Sequence, residues 1–128
     1  MDQLRPLADL AGRILMSVIF LASGYGGIVA FEGTSRFMEA HGLPAFLLIP
    51  SIALEIGGGL ILIAGYRVRL AAFVLAGFTL TAALVFHTDF GDLNERIMFL
   101  KNLAMAGGLG ILFANGAGPW SIDARRLR

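Results

Sequence analysis

The stretch Leu54-Glu55-Ile56-Gly57-Gly58-Gly59 decides the fold, because it places a carboxylate and three glycines inside an apolar run from Phe46 to Tyr66. Such a run can cross a bilayer as a helix, which needs roughly 20 apolar residues. An ionisable side chain inside a membrane costs roughly 2.5 to 3.5 kcal/mol on insertion scales, so it normally faces the protein interior and marks a site. Glu55 is therefore predicted to face other polar groups of the same chain.

The composition is that of an integral membrane protein. Hydrophobic residues make up 57% of the chain and charged residues 15%, with a mean hydropathy of +0.78, which is too apolar for a soluble domain of this size. The chain contains no cysteine, which excludes disulfides, thiol redox chemistry and thiolate-ligated iron–sulfur clusters within it. Any redox role would have to use bound molecules or partner proteins. The net charge of +1 indicates nothing about nucleic acid.

Four apolar runs predict an all-α membrane protein, a four-transmembrane-helix bundle in a single domain over residues 1–128. A short amphipathic helix is expected in the first periplasmic loop, carrying Phe37 and Met38. The segment Ala22-Ser23-Gly24 has the small residues of a signal-peptide cleavage site, but the apolar run continues to Phe31, which favours a retained helix. The predicted transmembrane helices cover about residues 12–31, 46–66, 70–87 and 97–115.

The distribution of basic residues predicts the orientation. Arg36, Arg96 and Lys101 fall on one side of the predicted membrane, and the other seven basic residues fall on the opposite side. The positive-inside rule places the richer side, with both termini, in the cytoplasm. That side holds Arg5, Arg13, Arg67, Arg69, Arg125, Arg126 and Arg128.

Small residues recur four positions apart in every predicted helix. Such rows allow helices to approach closely in lipid, where hydrophobicity alone does not bring them together. They predict close helix packing and are compatible with a homo-oligomer formed through the same faces. The rows are Ala22-Gly26-Ala30, Ala53-Gly57, Ala72-Ala76 and Ala106-Gly110-Ala114.

The predicted helix directions bring several polar residues to the depth of Glu55. At about 1.5 Å per residue, Glu55 lies on the order of 10 Å below the outer end of its helix. Lys101 and Asn102 lie roughly 6 to 8 Å below the start of the fourth helix by the same rise. The outer halves of the other two helices contribute Ser23, Tyr25 and His87.

A direct ion pair between Glu55 and Lys101 is the simplest arrangement of this cluster. If the lysine turns outward instead, the carboxyl group is left able to carry a proton. The pair could equally be a structural clasp between the second and fourth helices. His87 and Tyr25 could instead be interfacial residues without a role in the site. His41 is expected to be a solvated loop residue. The positions of the histidines disfavour a haem site, and no metal site or nucleotide-binding loop is predicted.

Five segments in this order resemble the DoxX family of small bacterial inner-membrane proteins. The likeness runs over nearly the whole chain, and the order and spacing of the segments are more specific than any one of them. The segments are Gly12-Arg13-Ile14-Leu15 with Phe20-Leu21-Ala22-Ser23-Gly24, Leu54-Glu55-Ile56-Gly57-Gly58, Phe86-His87, Leu100-Lys101-Asn102-Leu103-Ala104 with Gly107-Gly108, and Gly118-Pro119-Trp120-Ser121-Ile122-Asp123.

The resemblance implies a four-helix membrane bundle associated with redox metabolism. It implies links to thiosulfate and quinone oxidoreduction, to catechol and quinone detoxification under oxidative stress, and to complexes with superoxide dismutase and a sulfurtransferase. Family members often carry a lysine shortly after the Ser-Gly of the first helix, whereas this chain has Gly26-Gly27-Ile28, so an anion or quinone site would depend on Lys101. Carried over by position, the residues that matter are Glu55, His87, Lys101 and Asn102, with Ser121 and Asp123 capping the tail.

Three functions remain open at this point. The first is an accessory protein or non-catalytic subunit of a membrane redox system, which binds a quinone-like molecule or a partner oxidoreductase through the polar cluster. The second is a small proton-coupled carrier that uses Glu55. The third is a structural role in membrane assembly, in which the small-residue rows bind other helices.

Overall fold

The computed structural model describes residues 3–126, which form a bundle of helices. The long helices are α1 (Leu4–Val29), α3 (Leu48–Ala64), α4 (Val68–Phe86) and α5 (Leu93–Asn115). A short helix, α2 (Phe31–Ala40), follows α1, a 3-10 turn at Ala45–Leu47 leads into α3, and α6 (Ile122–Arg126) ends the described chain. The four long helices are long and apolar enough to cross a membrane. The predicted four-helix bundle, with a short helix in its first connection, is confirmed.

The first helix begins at Leu4 rather than at residue 12. The predicted start followed the apolar run and left out the polar residues before it. In the structure Arg5 and Asp9, one turn apart, form an exposed ion pair with an N–O distance of 3.9 Å. Such i,i+4 pairs are compatible with a helix that extends beyond the membrane.

The long helices form two closely packed pairs, α1 with α3 and α4 with α5. Glycines make the first pair close. A Cβ atom placed on Gly24 would lie 2.6 Å from Cγ1 of Ile56, and one placed on Gly59 would lie 2.9 Å from Leu21. A larger side chain at either position would separate the two helices.

These close contacts do not involve the glycines of the predicted small-residue rows. A Cβ atom on Gly26, Gly57 or Gly110 would meet nothing within 4 Å, so these glycines do not make the helix contacts of the bundle. Four-residue spacing identifies one face of a helix, but it does not distinguish a face that meets another helix from one that meets lipid. Gly24 and Gly59, which do contact a neighbouring helix, lie outside the repeats.

Arg13 joins three segments at one end of the bundle. Its side chain is 1% exposed, and Nη1 donates to the carbonyl oxygens of Leu62 at 3.1 Å and Ile63 at 3.0 Å. Nη2 donates to the carbonyl oxygen of Trp120. The carbonyls in the last turn of a helix lack partners within that helix, so α1 caps the end of α3. The sequence indicated only a basic residue flanking a membrane span.

The segment Gly116–Arg126, here called the tail, lies at the same end of the bundle as the Arg13 contacts. This end is here called the tail end. Asp123 accepts the backbone N–H of Arg67 through Oδ1 at 2.7 Å and that of Val68 through Oδ2 at 2.9 Å. It thereby caps the start of α4, whereas Ser121 Oγ accepts the N–H of Ala124 at 3.1 Å at the start of α6. Asp123 therefore acts on α4 rather than within the tail itself.

The basic residues divide between the two ends as the sequence predicted. Six of the seven arginines assigned to the richer side lie at the tail end, and Arg128 lies outside the described residues. The opposite end, here called the α2 end, has Arg36, Arg96 and Lys101. The assignment of the tail end to the cytoplasm stays a prediction from the positive-inside rule.

The hydrophobic core lies in the half of the bundle nearer the tail. Its buried residues include Leu62, Leu75 and Leu109, each 0% exposed, and they join α3, α4 and α5. At the α2 end the two helix pairs separate, which leaves a cavity between them.

Candidate functional site

A cavity of about 550 Å³ lies in the α2 half of the bundle, between the pair α1/α3 and the pair α4/α5. This volume falls within the range of roughly 300–1,000 Å³ usual for small-molecule sites. Most of the lining is apolar, with side chains from α1 to α5. The polar lining residues are Ser23, Thr34, Ser51, Glu55, Thr79, Thr81, His87, Lys101 and Asn102.

Glu55 lies in the wall formed by α3. The residue is 8% exposed, and the side chain of Ser23 on α1 faces its carboxyl group. The close contact at Gly24 explains this position, since a Cβ atom there would lie 3.4 Å from Cβ of Glu55. Within residues 3–126, Glu55 takes part in no ion pair.

The ion pair expected between Glu55 and Lys101 does not form in the structure. Lys101 is exposed, and its Nζ approaches Sδ of Met98 at 3.3 Å. The two residues belong to different helix pairs, and the cavity lies between those pairs. Met98 is almost one turn nearer the start of α5, so the lysine extends toward the α2 end, as a lysine in a membrane helix commonly does.

Asn102 and Thr79 form the opposite wall. Nδ2 of Asn102 donates to the backbone carbonyl oxygen of Thr79 at 3.2 Å, which joins α5 to α4. Thr79 is 2% exposed, and its Oγ1 is buried without a hydrogen-bond partner in the described part of the chain. A buried hydroxyl without a partner costs on the order of 1–3 kcal/mol, so this oxygen is a candidate ligand contact.

Thr79 is not among the site residues predicted from the sequence. The available signal was a hydroxyl residue in an apolar helix, at nearly the same distance from the α2 end as Glu55. Thr79 is seven residues from the end of α4 and Glu55 seven residues from the start of α3, or about 10 Å in each case.

His87 lies at the edge of the cavity, whereas Tyr25 lies away from it. Nδ1 of His87 is 3.0 Å from Oε2 of Glu95, so this histidine joins the end of α4 to the start of α5. Tyr25 is 67% exposed and is not among the lining residues. Its helix presents Gly24 and Gly27 to α3, and Tyr25 points elsewhere because successive helical residues are turned by about 100°.

The cavity extends to exposed side chains of α1 and α5. Ser23 and Lys101 both line it, and both are exposed. A Cβ atom on Gly108 of α5 would lie 2.5 Å from Cε of Met16 on α1, so the two helices touch there. Ser23 and Lys101 are each seven residues, or about two turns, nearer the α2 end than that contact. They therefore lie beside the gap between the two helices, on the α2 side of that contact.

Helix α2 lies across the end of the cavity. The rings of Phe37 and Phe86 stack with centroids 5.2 Å apart, and the His41 ring lies 4.4 Å from Phe37 and 5.0 Å from Phe86. Both phenylalanines line the cavity. The three rings therefore pack α2 against the end of α4. They also separate the cavity from the surface of the protein at the α2 end.

The sequence of this chain is similar to those of known proteins. The DoxX family model matches residues 8–88, which hold α2, α3, α4 and all but the first turn of α1. An Escherichia coli (strain K12) protein named "Inner membrane protein YqjF" is 42% identical over 123 residues, which covers 96% of this chain and 95% of the relative. "Inner membrane protein YphA" of the same organism is 29% identical over 129 residues, with 94% and 91% covered.

A third relative bears a functional name. It is "Putative oxidoreductase CatD" of Bacillus subtilis (strain 168), 30% identical over 79 residues, which covers 62% of this chain and 58% of the relative. No solved structure matches this chain. With its four apolar helices and two relatives named as inner-membrane proteins, the chain is a multi-pass inner-membrane protein, and it belongs to the DoxX family.

Proposed function

We propose that this protein binds the head group of a quinone-like molecule in its cavity, as an accessory protein or subunit of a membrane redox system. The observation that carries the proposal is an apolar cavity in the membrane-spanning part with polar groups on both walls. Ser23 and Glu55 belong to one wall, and Thr79 and Asn102 to the other. Such a mixture suits a ligand with an apolar body and a few polar atoms.

The polar groups match the hydrogen-bonding needs of a quinone. A quinone presents two carbonyl oxygens on opposite sides of a flat ring, so it needs donors on opposite walls. Ser23 Oγ and Thr79 Oγ1 are hydroxyl donors on different walls, and Lys101 is a third donor at the side opening. The opening between α1 and α5 lets a lipid-soluble ligand enter from the bilayer with its chain left among the lipids.

Glu55 gives the site a group that can exchange a proton. Reduction of a quinone to a quinol takes two electrons and two protons, and a carboxyl group beside a carbonyl oxygen can deliver one of those protons. The electrons would come from a partner oxidoreductase, because this chain has no cysteine to form a thiol or iron–sulfur redox centre. The name of the Bacillus subtilis relative, "Putative oxidoreductase CatD", supports a redox setting.

Binding of decylubiquinone to the protein in lipid nanodiscs tests the proposal. Thr79→Val and Asn102→Leu each remove a polar group from one wall and should weaken binding about tenfold, the effect of losing one hydrogen bond to a buried partner. Asn115→Leu is the matched control, since Asn115 is exposed near the opposite end of α5. The proposal fails if decylubiquinone does not bind, or if it binds the Thr79→Val/Asn102→Leu protein as well as the parent.

A second function is favoured by the position of Glu55 itself. Its carboxyl group has no cationic partner among residues 3–126, and it lies beside a side opening. A proton-coupled carrier needs such a group. In proteoliposomes with an imposed pH gradient, this function requires a proton flux that Glu55→Gln abolishes. The control is Glu39→Gln, on the exposed surface of α2, which should leave the flux unchanged. Flux without dependence on pH or on Glu55 would exclude it.

A further inference from the structure

A second cavity, of about 680 Å³, lies at the tail end, between the start of α4 and the tail. Arg67, Arg69 and Arg126 line it. Its acidic lining residue, Asp123, uses both carboxylate oxygens to accept backbone N–H groups at the start of α4. Within residues 3–126, none of the three arginines forms an ion pair. The cleft is therefore lined by three guanidinium groups and by one carboxylate whose two oxygens already accept backbone N–H groups.

Two of these arginines lie against the same aromatic ring. Arg67 has a φ of 45°, a left-handed conformation that costs a residue with a side chain about 1–2 kcal/mol, and its N–H donates to Asp123. Its Cζ lies 5.6 Å from the centroid of the Tyr66 ring, and Cζ of Arg126 lies 5.3 Å from the same centroid. Two cations that share one aromatic ring repel each other, and a bound anion would remove that repulsion.

The third arginine lies against the turn that follows α5. A Cβ atom on Gly116 would lie 3.2 Å from Nε of Arg69. Gly116 and Gly118 have φ values of 81° and 86°, conformations that glycine adopts without strain. The turn can therefore approach α4 closely and bring Arg69 to the cleft together with the other two arginines.

An apolar surface begins next to the cleft and follows α4 and α5 toward the middle of the bundle. Leu70, 59% exposed, lines the cleft itself. Phe73, one turn further along α4 from Arg69, is 64% exposed, and its ring lies edge to face with that of Phe113 on α5, with centroids 5.7 Å apart. A cationic cleft that continues into an exposed aromatic pair matches a ligand with an anionic head and an apolar body.

We propose that this cleft binds the phosphate group of an anionic membrane phospholipid, with its acyl chains lying along Phe73 and Phe113. A phosphodiester accepts several N–H groups at once, and guanidinium groups match its geometry. Basic pockets at the ends of membrane helices are suited to such head groups. The site is at the opposite end of the bundle from the cavity at Glu55 and is independent of the function proposed for that cavity.

Native mass spectrometry of the detergent-solubilised protein with equimolar phosphatidylglycerol and phosphatidylethanolamine tests the proposal. The parent protein should retain more phosphatidylglycerol than phosphatidylethanolamine. The Arg69→Gln/Arg126→Gln protein should bind phosphatidylglycerol about 30-fold more weakly, the effect of two basic side chains on an anionic lipid. The Arg36→Gln/Arg96→Gln protein, with the same change of charge at the α2 end, should bind it as the parent does.

The lipid and a soluble phosphate are distinguished by competition. Glycerol 3-phosphate shares the phosphate but lacks the acyl chains, so it should displace phosphatidylglycerol only at far higher concentration. Displacement at equal concentration would show a site for soluble phosphates and overturn the proposal. Equal retention of the two lipids by the parent protein would also overturn the proposal, whether or not the glutamine variants fold. Equal losses of phosphatidylglycerol binding in the two double variants would overturn it as well.

Discussion

The guanidinium group of Arg13 donates to the carbonyl oxygen of Leu62 at 3.1 Å, although the two residues are 49 positions apart. This bond and the ones to Ile63 and Trp120 use a buried charge to satisfy the end of α3 and to fix the tail. A charge in this position is costly unless its hydrogen bonds are made. The tail end is therefore held together by buried polar contacts, whereas the α2 half contains the cavity.

Replacement of Arg13 should destabilise the protein more than replacement of any exposed arginine. Arg13→Leu leaves the carbonyls of Leu62 and Ile63 without their donor, and hydrogen bonds to a charged group are each worth about 1.5–3 kcal/mol. We expect the free energy of unfolding to fall by about 3 kcal/mol, measured by denaturant titration in detergent micelles. Arg5→Leu, in the exposed part of the same helix, should change it by less than about 1 kcal/mol, and equal effects would contradict the capping role of Arg13.

Two glycines of α1 should respond oppositely to alanine. At Gly24 a methyl group would lie 2.6 Å from Ile56, so Gly24→Ala should lower the free energy of unfolding by about 1–3 kcal/mol through overpacking. At Gly26 the methyl group would meet open space, and Gly26→Ala should leave stability unchanged or raise it by up to about 1 kcal/mol. Thermal unfolding of the two variants side by side measures the difference. A larger loss at Gly26 would mean that this face packs against another chain.

The membrane spans could be predicted from the sequence because a bilayer imposes a simple rule. About 20 apolar residues in a row are needed for each crossing. The run that contains Glu55 and the three other apolar runs of the chain meet that requirement. The depth of Glu55 and Asn102 followed from the direction of each helix, since the rise per residue is fixed. Both residues do line one cavity.

Contacts between particular side chains could not be predicted in the same way. Residues on α3 and α5 can share a depth and still lie on opposite sides of a cavity, as Glu55 and Lys101 do. The buried position of Arg13 depends on the tail returning to the end of α3, a relationship between residues far apart in the chain. Thr79 was missed because an isolated threonine in an apolar helix normally satisfies its own hydroxyl, as Thr81 does by donating to the carbonyl of Gly77.

Removal of the Asp123 carboxylate should weaken the start of α4. Asp123→Ala removes the acceptor of two backbone N–H groups, those of Arg67 and Val68, and loss of a helix N-cap costs about 1–2 kcal/mol. Hydrogen exchange should show faster exchange of the amides in the first turn of α4, with the α2 end unaffected. Asp89→Ala, in the exposed connection before α5, serves as the control. Unchanged exchange in α4 would show that the carboxylate is dispensable there.

The separation of Glu55 from Lys101 predicts that the two side chains contribute independently to stability. If they formed an ion pair, Glu55→Gln would leave the lysine without its partner, and the effects of Glu55→Gln and Lys101→Met would not add. In the structure Lys101 extends toward Met98 and Glu55 faces Ser23. The coupling energy from a double-mutant cycle, measured by unfolding in detergent micelles, should therefore stay below about 0.5 kcal/mol. A coupling of 1 kcal/mol or more, about that of a direct contact, would show that the two helix pairs close on each other in the membrane and that the cavity between them is transient.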